Sequence, residues 1–386
     1  MTPAARLAAA IEILDEVVIA ARDGGAAADT LIQRYFTTRR YAGSKDRRAV
    51  RDLVFAVVRS SGERPHSGRA AVIGHARAND PALLALFGAA GHSPPPLVQG
   101  EPAASGGLAP AWLREMLGLR FGGDVGRQLV ALLDRAPLDV RVNSLKAARA
   151  DVAAVHPDWE ILPRTAHGLR LPAGTVLEQE PDWQAGHIEV QDAGSQIAAA
   201  ALAAKPGELV VDLCAGAGGK TLALAADMAA NGALHGHLVA CDTDRGRLSQ
   251  LPPRAQRAGA HGIDMRLLDP GQEAAALADL MGKCDAVLID APCSGSGTWR
   301  RNPESRWRLT RERLARLATT QAQLIQLGTR LLRPGGRIVY VVCSLLPAEG
   351  EAQLAATPGL AGWSSRILTP ADDGCDGFFI AQSSRL

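Results

Sequence analysis

The stretch VDLCAGAGGKT, residues 211 to 221, runs from an apolar segment through a cluster of small residues to a lysine and a threonine. Three ligand-binding readings compete for such a loop, and spacing separates them. A triphosphate-binding Walker A loop needs glycine five residues before its Gly-Lys-Thr, and Cys214 occupies that position. The dinucleotide fingerprint GxGxxG, begun at Gly216 and Gly218, needs a third glycine where Thr221 stands. What remains is a loop of small residues that lets a ligand lie against the backbone at a helix N-terminus.

Outward from this loop, apolar runs alternate with helical segments: ELVVDL (208–213), HLVACD (237–242), IDMRLL (263–268), CDAVLID (284–290), GRIVYVV (336–342) and GFFIA (377–381). The longest intervening helix is TRERLARLATTQAQLIQLGTRLL. Continuous apolar strands between helices predict an α/β fold with a mostly parallel, doubly wound sheet covered on both faces. Such sheets bind ligands at the C-terminal ends of their strands. Asp242 ends one strand where an acid can accept hydrogen bonds from both ribose hydroxyls, and Asp269 follows the next on the base side. A small-residue loop, a ribose acid and a base-side acid on consecutive strand ends fit S-adenosylmethionine, a nucleoside without phosphate. The plainer alternative is a tight turn with ordinary strand-end aspartates. Lysines make up only five of the 42 basic residues, so a lysine at 220 points to a geometric need such as contact with a phosphate or carboxylate.

The chain has 386 residues, 47% of them hydrophobic and 21% charged, as expected of a folded protein of two or three domains. Glu12, Asp15 and Glu16 interrupt any signal-peptide core, and the apolar run at 197–204 is too short to span a bilayer, which reads as cytoplasmic. The spacing of Leu7, Ile11, Leu14 and Val18, and of Val50, Leu53, Val54 and Val57, predicts a helical domain over 1–90. GHSPPPLVQGEPAASGG (91–107) reads as a linker. Residues 108–190, with the alternating PLDVRVNSLK, read as a small α+β extension, and 191–386 as the α/β domain.

Six cysteines at 214, 241, 284, 293, 343 and 375 form neither a CxxC pair nor a zinc-spaced cluster, so no disulfide framework or metal is indicated. Any one of them alone reads as buried filler. Two change meaning through position. Cys293 follows Asp290 in LIDAPCSGSG, and Cys343 ends the next strand in VVCS, so both flank one pocket. Carbon 5 of a pyrimidine attacks a methylsulfonium only after a thiolate has added to carbon 6, and a second thiol can assist the later proton removal and thiolate expulsion. A carboxyl near N3 would stabilise the adduct, which suits Asp290 if burial raises its pKa.

The chain resembles the RsmB/Sun family of RNA cytosine-5 methyltransferases. The resemblance rests on VQDAGSQIAA (190–199), DLCAGAGGKT, VACD with Arg247-Leu248 after it, LIDAPCSGSGTWRRNPE, VYVVCSLLPAEGE and DGFFIA. The helical start, with RRYAGSKDRRAVRDLV, is similar to the NusB-like domain of bacterial members, and APLDVRVNSLK to their RNA-binding extension. The resemblance implies a class I methyltransferase with a Rossmann-like sheet. It implies Cys343 as the nucleophile on carbon 6 and Cys293 as the residue for product release. It also implies a methyl-donor site of Cys214, Ala215, Gly216, Ala217, Gly218, Gly219, Lys220, Asp242, Asp269 and Asp290, with Asp290 facing the cytosine too. Two departures stand: Ala217 replaces a proline frequent in the family, and 350–374 is short and poorly matched.

Formal net charge is only +2, but residues 1–69 hold twelve Lys or Arg against eight Asp or Glu, and 299–316 hold seven arginines against two glutamates. Beside a pocket that a flipped cytosine must enter, Arg300 and Arg301 are expected to meet RNA phosphates. Aromatic residues are only 4%, so recognition by backbone and shape is expected rather than base stacking. The reading is therefore a monomeric S-adenosylmethionine-dependent RNA cytosine-5 methyltransferase, acting on 16S rRNA and needing neither membrane nor metal. Its alternatives are a methyltransferase of tRNA, DNA or another substrate with Cys293 as nucleophile, and a catalytically silent RNA-binding protein.

Overall fold

The computed structural model describes residues 1–354 and 359–386, which form two compact units. One comprises Met1–Arg135 with Thr298–Arg311, the other Ala136–Gly297 with Glu312–Leu386.

The first unit is helical: α1 (Pro3–Asp23), α2 (Ala28–Thr37), α3 (Ser44–Ser60), α4 (Gly68–Asn79), α5 (Ala111–Phe121) and α6 (Val125–Leu133). Thr2 caps α1 by accepting from the Ala5 N–H, Pro3 suits its first turn, and Gly24 ends it in the left-handed region. Leu7, Ile13, Leu14 and Val17 of α1, Val50, Val54 and Val57 of α3, and Val72 and Ile73 of α4 share one buried core. The helical spacing therefore translates directly into packing.

Two expected boundaries differ in the structure. Residues 91–107 contain no regular element, yet they are tied down: Arg69 bonds to Glu101 and to the Pro95 and Pro96 carbonyls, and Ala104 N–H donates to Ala70. They and residues 108–135 belong to the helical unit. Residues 298–311, expected in the α/β domain, also fold with it. Glu304 accepts from the Ala28 N–H at 3.0 Å, Trp307 donates to the Ser61 carbonyl at 3.1 Å, and Arg308 donates to the carbonyls of Gly25 and Ala26. Arg306, fully buried, donates to the carbonyls of Val58 and Ser61 at 2.6 and 2.9 Å.

The second unit begins with β1 (Leu138–Val142), α7 (Arg149–Val155), β2 (Glu160–Ile161), β3 (Gly168–Leu171), α8 (Pro181–Ala185) and β4 (Ile188–Val190). The four strands form an antiparallel sheet in the order β2-β3-β1-β4. Next come α9 (Ala193–Ala200), β5 (Leu209–Asp212), α10 (Gly219–Asp227), the hairpin β6 (Ala229–Ala230) and β7 (Ala233–Leu234), β8 (His237–Asp242), α11 (Arg245–Leu248) and α12 (Leu251–Ala258). The chain continues through β9 (Asp264–Leu267), α13 (Glu273–Ala276), β10 (Cys284–Asp290), α14 (Arg311–Leu331), β11 (Leu332–Val342), α15 (Glu351–Leu354), β12 (Ser364–Leu368), α16 (Pro370–Asp373) and β13 (Phe378–Ser384). In the poorly matched region 350–374, residues 355–358 lie outside the described residues.

The large sheet has the order β12-β13-β11-β10-β5-β8-β9. Its five strands from β11 to β9 run parallel, and β13 and β12 add antiparallel pairs at one edge. This is the Rossmann-like α/β sheet that the apolar runs predict. Core clusters fill both faces, which is why β5, β8, β10 and β11 read as continuous apolar stretches. From β5 the chain winds through β8 to β9, then returns to β10 and β11 on the other side. The ends of β5 and β10 therefore flank the topological switch point, where such sheets open a ligand crevice.

Candidate active site

The loop after β5 is built for close approach. Gly216 and Gly218 have φ of +55° and +85°, a region that glycine enters without strain. A Cβ on Gly216 would collide with the Arg247 guanidinium, and one on Gly218 with the Leu251 side chain. Gly216 N–H donates to Asp242 Oδ2 at 2.7 Å, and the Asp244 N–H donates to Oδ1 at 2.7 Å. The carboxylate at the end of β8 thus fixes the loop and its own strand end, leaving each oxygen one further acceptor position. Arg254 locks the loop from outside, donating to the Ala217 carbonyl at 2.6 Å and to Glu189 of β4 at 3.1 Å. Cys214 and Ala215 lie in this loop, Gly219 begins α10, and Asp269, exposed, lies two residues past β9.

Lys220 answers the question its rarity raised. Its Nζ donates to Asp290 Oδ2 at 2.6 Å, joining the start of α10 to the end of β10. Burial alone would lower the Lys220 pKa, but the adjacent Asp290 carboxylate outweighs it and the net shift is upward. A cation spent on a carboxylate is not available for a phosphate, which suits a phosphate-free nucleoside. Asp290 itself has a side-chain exposure of 32%. Burial, the condition set for proton donation, is only partial, and Asp290 accepts the hydrogen bond of the Lys220 ammonium.

β10 and β11 lie side by side with Asp290 opposite Val341, so the residues after their ends share one edge. The loop from Ala291 returns to the neighbouring strand, with Gly297 N–H donating to the Cys343 carbonyl at 3.0 Å. Cys293 Sγ then lies 3.4 Å from Cys343 Sγ, a hydrogen-bonded pair of free thiols. The Cys293 thiol is held well above its usual range, first by this hydrogen bond, then by burial and by the negative charges of Cys343 and Glu349. A thiol held up in this way is a poor thiolate, and the thiolate is the form that attacks carbon. The charge of Cys343 is also among the influences raising Lys220, so the cation lies within electrostatic reach of this sulfur.

The remaining cysteines do not compete. Cys214 is pushed well up by burial and by Asp212, Asp290 and Asp242, and Cys241, Cys284 and Cys375 are buried. Arg300 is only 7% exposed and Arg301 half-buried, and both have partners within the chain. The structure therefore counts against the expectation for Arg300, a residue with little surface to offer a phosphate. Among the described residues no group of three or more His, Cys, Asp or Glu is placed to hold a metal ion, and no helix is long and apolar enough to cross a membrane.

Sequence reasoning missed Glu349. It is 0% exposed, and its carboxylate accepts from Ser294 N–H, Ser294 Oγ, Ser344 Oγ and Gln321 Nε2. The signal was the Cys-Ser pair repeated at 293–294 and 343–344.

The family model for the 16S rRNA methyltransferase RsmB/F matches residues 199–358. A ribosomal RNA small subunit methyltransferase B of Xanthomonas campestris is 33% identical over 308 residues, covering 73% of this chain and 68% of the relative. A probable ribosomal RNA small subunit methyltransferase B of Synechocystis is 35% identical over 254 residues, covering 64% of this chain. The chain spans 55% of that relative's length. A methyltransferase homologue of Pyrococcus horikoshii, known from its crystal structure, superimposes with a TM-score of 0.62 at 27% identity, over 72% of this chain and 96% of the other.

Proposed function

We propose, for a chain that belongs to the RsmB/F family of 16S rRNA methyltransferases, that it methylates carbon 5 of a cytosine in ribosomal RNA from S-adenosylmethionine, with Cys343 as nucleophile. The observation that carries this reading is the 3.4 Å contact between Cys343 and Cys293, whose thiol is held above its usual range, at the sheet edge where Lys220 pairs with Asp290.

The donor site fits on its own geometry. The loop 214–220 offers backbone at close range, Asp242 retains acceptor positions for ribose hydroxyls, and Asp269, two residues past the next strand, is the residue we assign to the base. When bound, S-adenosylmethionine supplies an electrophilic methyl group. The chain's own residues do the rest. Cys343 Sγ adds to carbon 6, which makes carbon 5 an enamine carbon able to take the methyl group. Asp290, held by Lys220, meets the polar edge of the ring. Cys293 then gives its proton to the departing Cys343 sulfur as it takes the proton from carbon 5, which restores the aromatic base, and release of one proton from Cys343 to solvent returns the pair to its starting state. Arg301, half-buried, and the arginine-rich sequence of the helical unit are the candidates for RNA backbone contact.

Bisulfite sequencing of ribosomal RNA incubated with the protein and S-adenosylmethionine tests the reading. A single protected cytosine is expected. Donor turnover with no protected cytosine in small-subunit RNA would overturn the substrate assignment.

A further inference from the structure

The two thiol-bearing loops share a buried anchor. Glu349 ends a short turn at 347–349, and each of the two cysteines is followed directly by a serine that this glutamate holds. Ser294 donates twice, from its backbone N–H at 2.8 Å and from Oγ at 2.5 Å, and Ser344 Oγ donates at 2.5 Å. Gln321 of α14 completes the set, with Nε2 at 3.0 Å from Glu349 and 2.9 Å from the carbonyl of Pro292, the residue before Cys293. Tyr340 of β11 donates to the Glu349 carbonyl at 2.7 Å. Ser344 Oγ also meets Ser294 Oγ at 3.1 Å and Ser296 Oγ at 3.0 Å.

We propose that Glu349 is the positioning residue of the thiol pair: its carboxylate clips the Cys293 loop to the Cys343 strand end and fixes the contact of the sulfurs. The inference deepens the proposed function, since it rests on Cys343 being the nucleophile.

Two physical effects are combined in one group. The first is geometric. Four neutral donors converge on two oxygens, and only a carboxylate accepts from all of them at once. The second is electrostatic. A negative charge close to Cys293 disfavours its thiolate, so the charge that ties the loops together also acts on that thiol. Glu349 does not touch the reacting atoms and acts through the two loops and through its charge.

The two effects are separable by substitution. In Glu349→Gln the serine hydroxyls can turn to accept from the new amide, so the clip is largely retained while the charge is lost. In Gln321→Met the charge stays and the tie to Pro292 is lost. The readout is alkylation of the full-length protein by iodoacetamide across pH, with Cys293 and Cys343 quantified separately by mass spectrometry. In the unmodified protein Cys343 is expected to react first.

In Glu349→Gln the alkylation midpoint of Cys293 is expected to fall by about one pH unit, reducing the preference for Cys343 by about tenfold. In Gln321→Met the Cys293 rate should rise several-fold with its midpoint unmoved. If Glu349→Gln fails to fold, as judged by circular dichroism, Gln321→Met carries the test alone. Rates and midpoints equal to the unmodified protein in every folded variant would overturn the proposal. Neither RNA nor methyl donor enters the assay, so this result stands apart from the substrate assignment. If the thiols respond as expected and no RNA is methylated, the proposed function fails and the clip stands.

Discussion

Lys220 Nζ and Asp290 Oδ2 lie 2.6 Å apart, and this one bond crosses the switch point of the sheet from the donor loop to the strand that leads to Cys293. Lys220→Met would leave the carboxylate without its cation and free to turn away from the base. Transfer in a single turnover is expected to slow on the order of 100-fold, the scale for removing one preorganised charge. Lys220→Arg should recover little, because the wider guanidinium has to share the space beside the Phe378 ring, 5.5 Å from the ammonium. Rapid-quench measurement with labelled donor checks both. An unimpaired methionine variant would remove the ion pair from the mechanism.

The thiol pair predicts opposite phenotypes for two similar changes. Cys343→Ala removes the nucleophile and is expected to abolish both methylation and covalent complex formation. Cys293→Ala leaves attack and methyl transfer possible but removes the group that completes release, so a protein–RNA adduct should accumulate. Denaturing gels with labelled RNA distinguish the two. An adduct in Cys343→Ala, or none in Cys293→Ala with full turnover, would exchange or cancel the roles.

How far the sequence was readable depended on whether local pattern carried the information. The parallel strands were legible because burial on both faces writes itself as an apolar run, as in CDAVLID for β10. β12, with the sequence SSRIL and its first three residues exposed at the sheet edge, carries no such pattern. The arginine-rich segment after the Pro-Cys loop misled for a related reason. Charge in sequence does not distinguish a solvated guanidinium from Arg306, which is buried on backbone carbonyls and whose pKa burial lowers to about 9. The two cysteines and the donor loop stood out because their motifs are contiguous. Glu349 did not, because its meaning lies in serines 55 and 5 residues away that only the fold brings together.

Arg254 predicts a binding effect separable from chemistry. Its guanidinium links the Ala217 carbonyl of the donor loop to Glu189 of β4, and so connects the small antiparallel sheet to the donor site. Arg254→Ala leaves that carbonyl without its donor and the loop less constrained. Affinity for S-adenosylmethionine should fall by about tenfold, the equivalent of one charge-assisted hydrogen bond, with little change in the single-turnover rate at saturating donor. Calorimetric titration together with the saturated rate checks the split. A slower saturated rate with unchanged affinity would move Arg254 from holding the loop to orienting the reacting groups.

Asp212, at the end of β5, predicts how stability depends on pH. It is fully buried, accepts from Thr221 Oγ1 at 2.7 Å, and has a pKa pushed up to about 7, chiefly by burial and against the opposing hydrogen bond of Thr221. A folded value above the unfolded one means the folded state holds its proton more tightly. The resulting stabilisation is complete below the unfolded value near pH 4 and is lost as pH rises through about 7. A shift of about three units sets an upper scale of roughly 4 kcal/mol for that loss. Asp227, raised to about 6 mainly by burial, adds to the same trend, so the comparison that isolates Asp212 is with Asp212→Asn. The asparagine carbonyl still accepts from Thr221 while removing the titration. Urea midpoints between pH 5 and 8 should fall more steeply in the unmodified protein than in the variant, with the asparagine form the more stable at pH 8. Parallel profiles would mean that Asp212 stays ionised in the fold despite its burial.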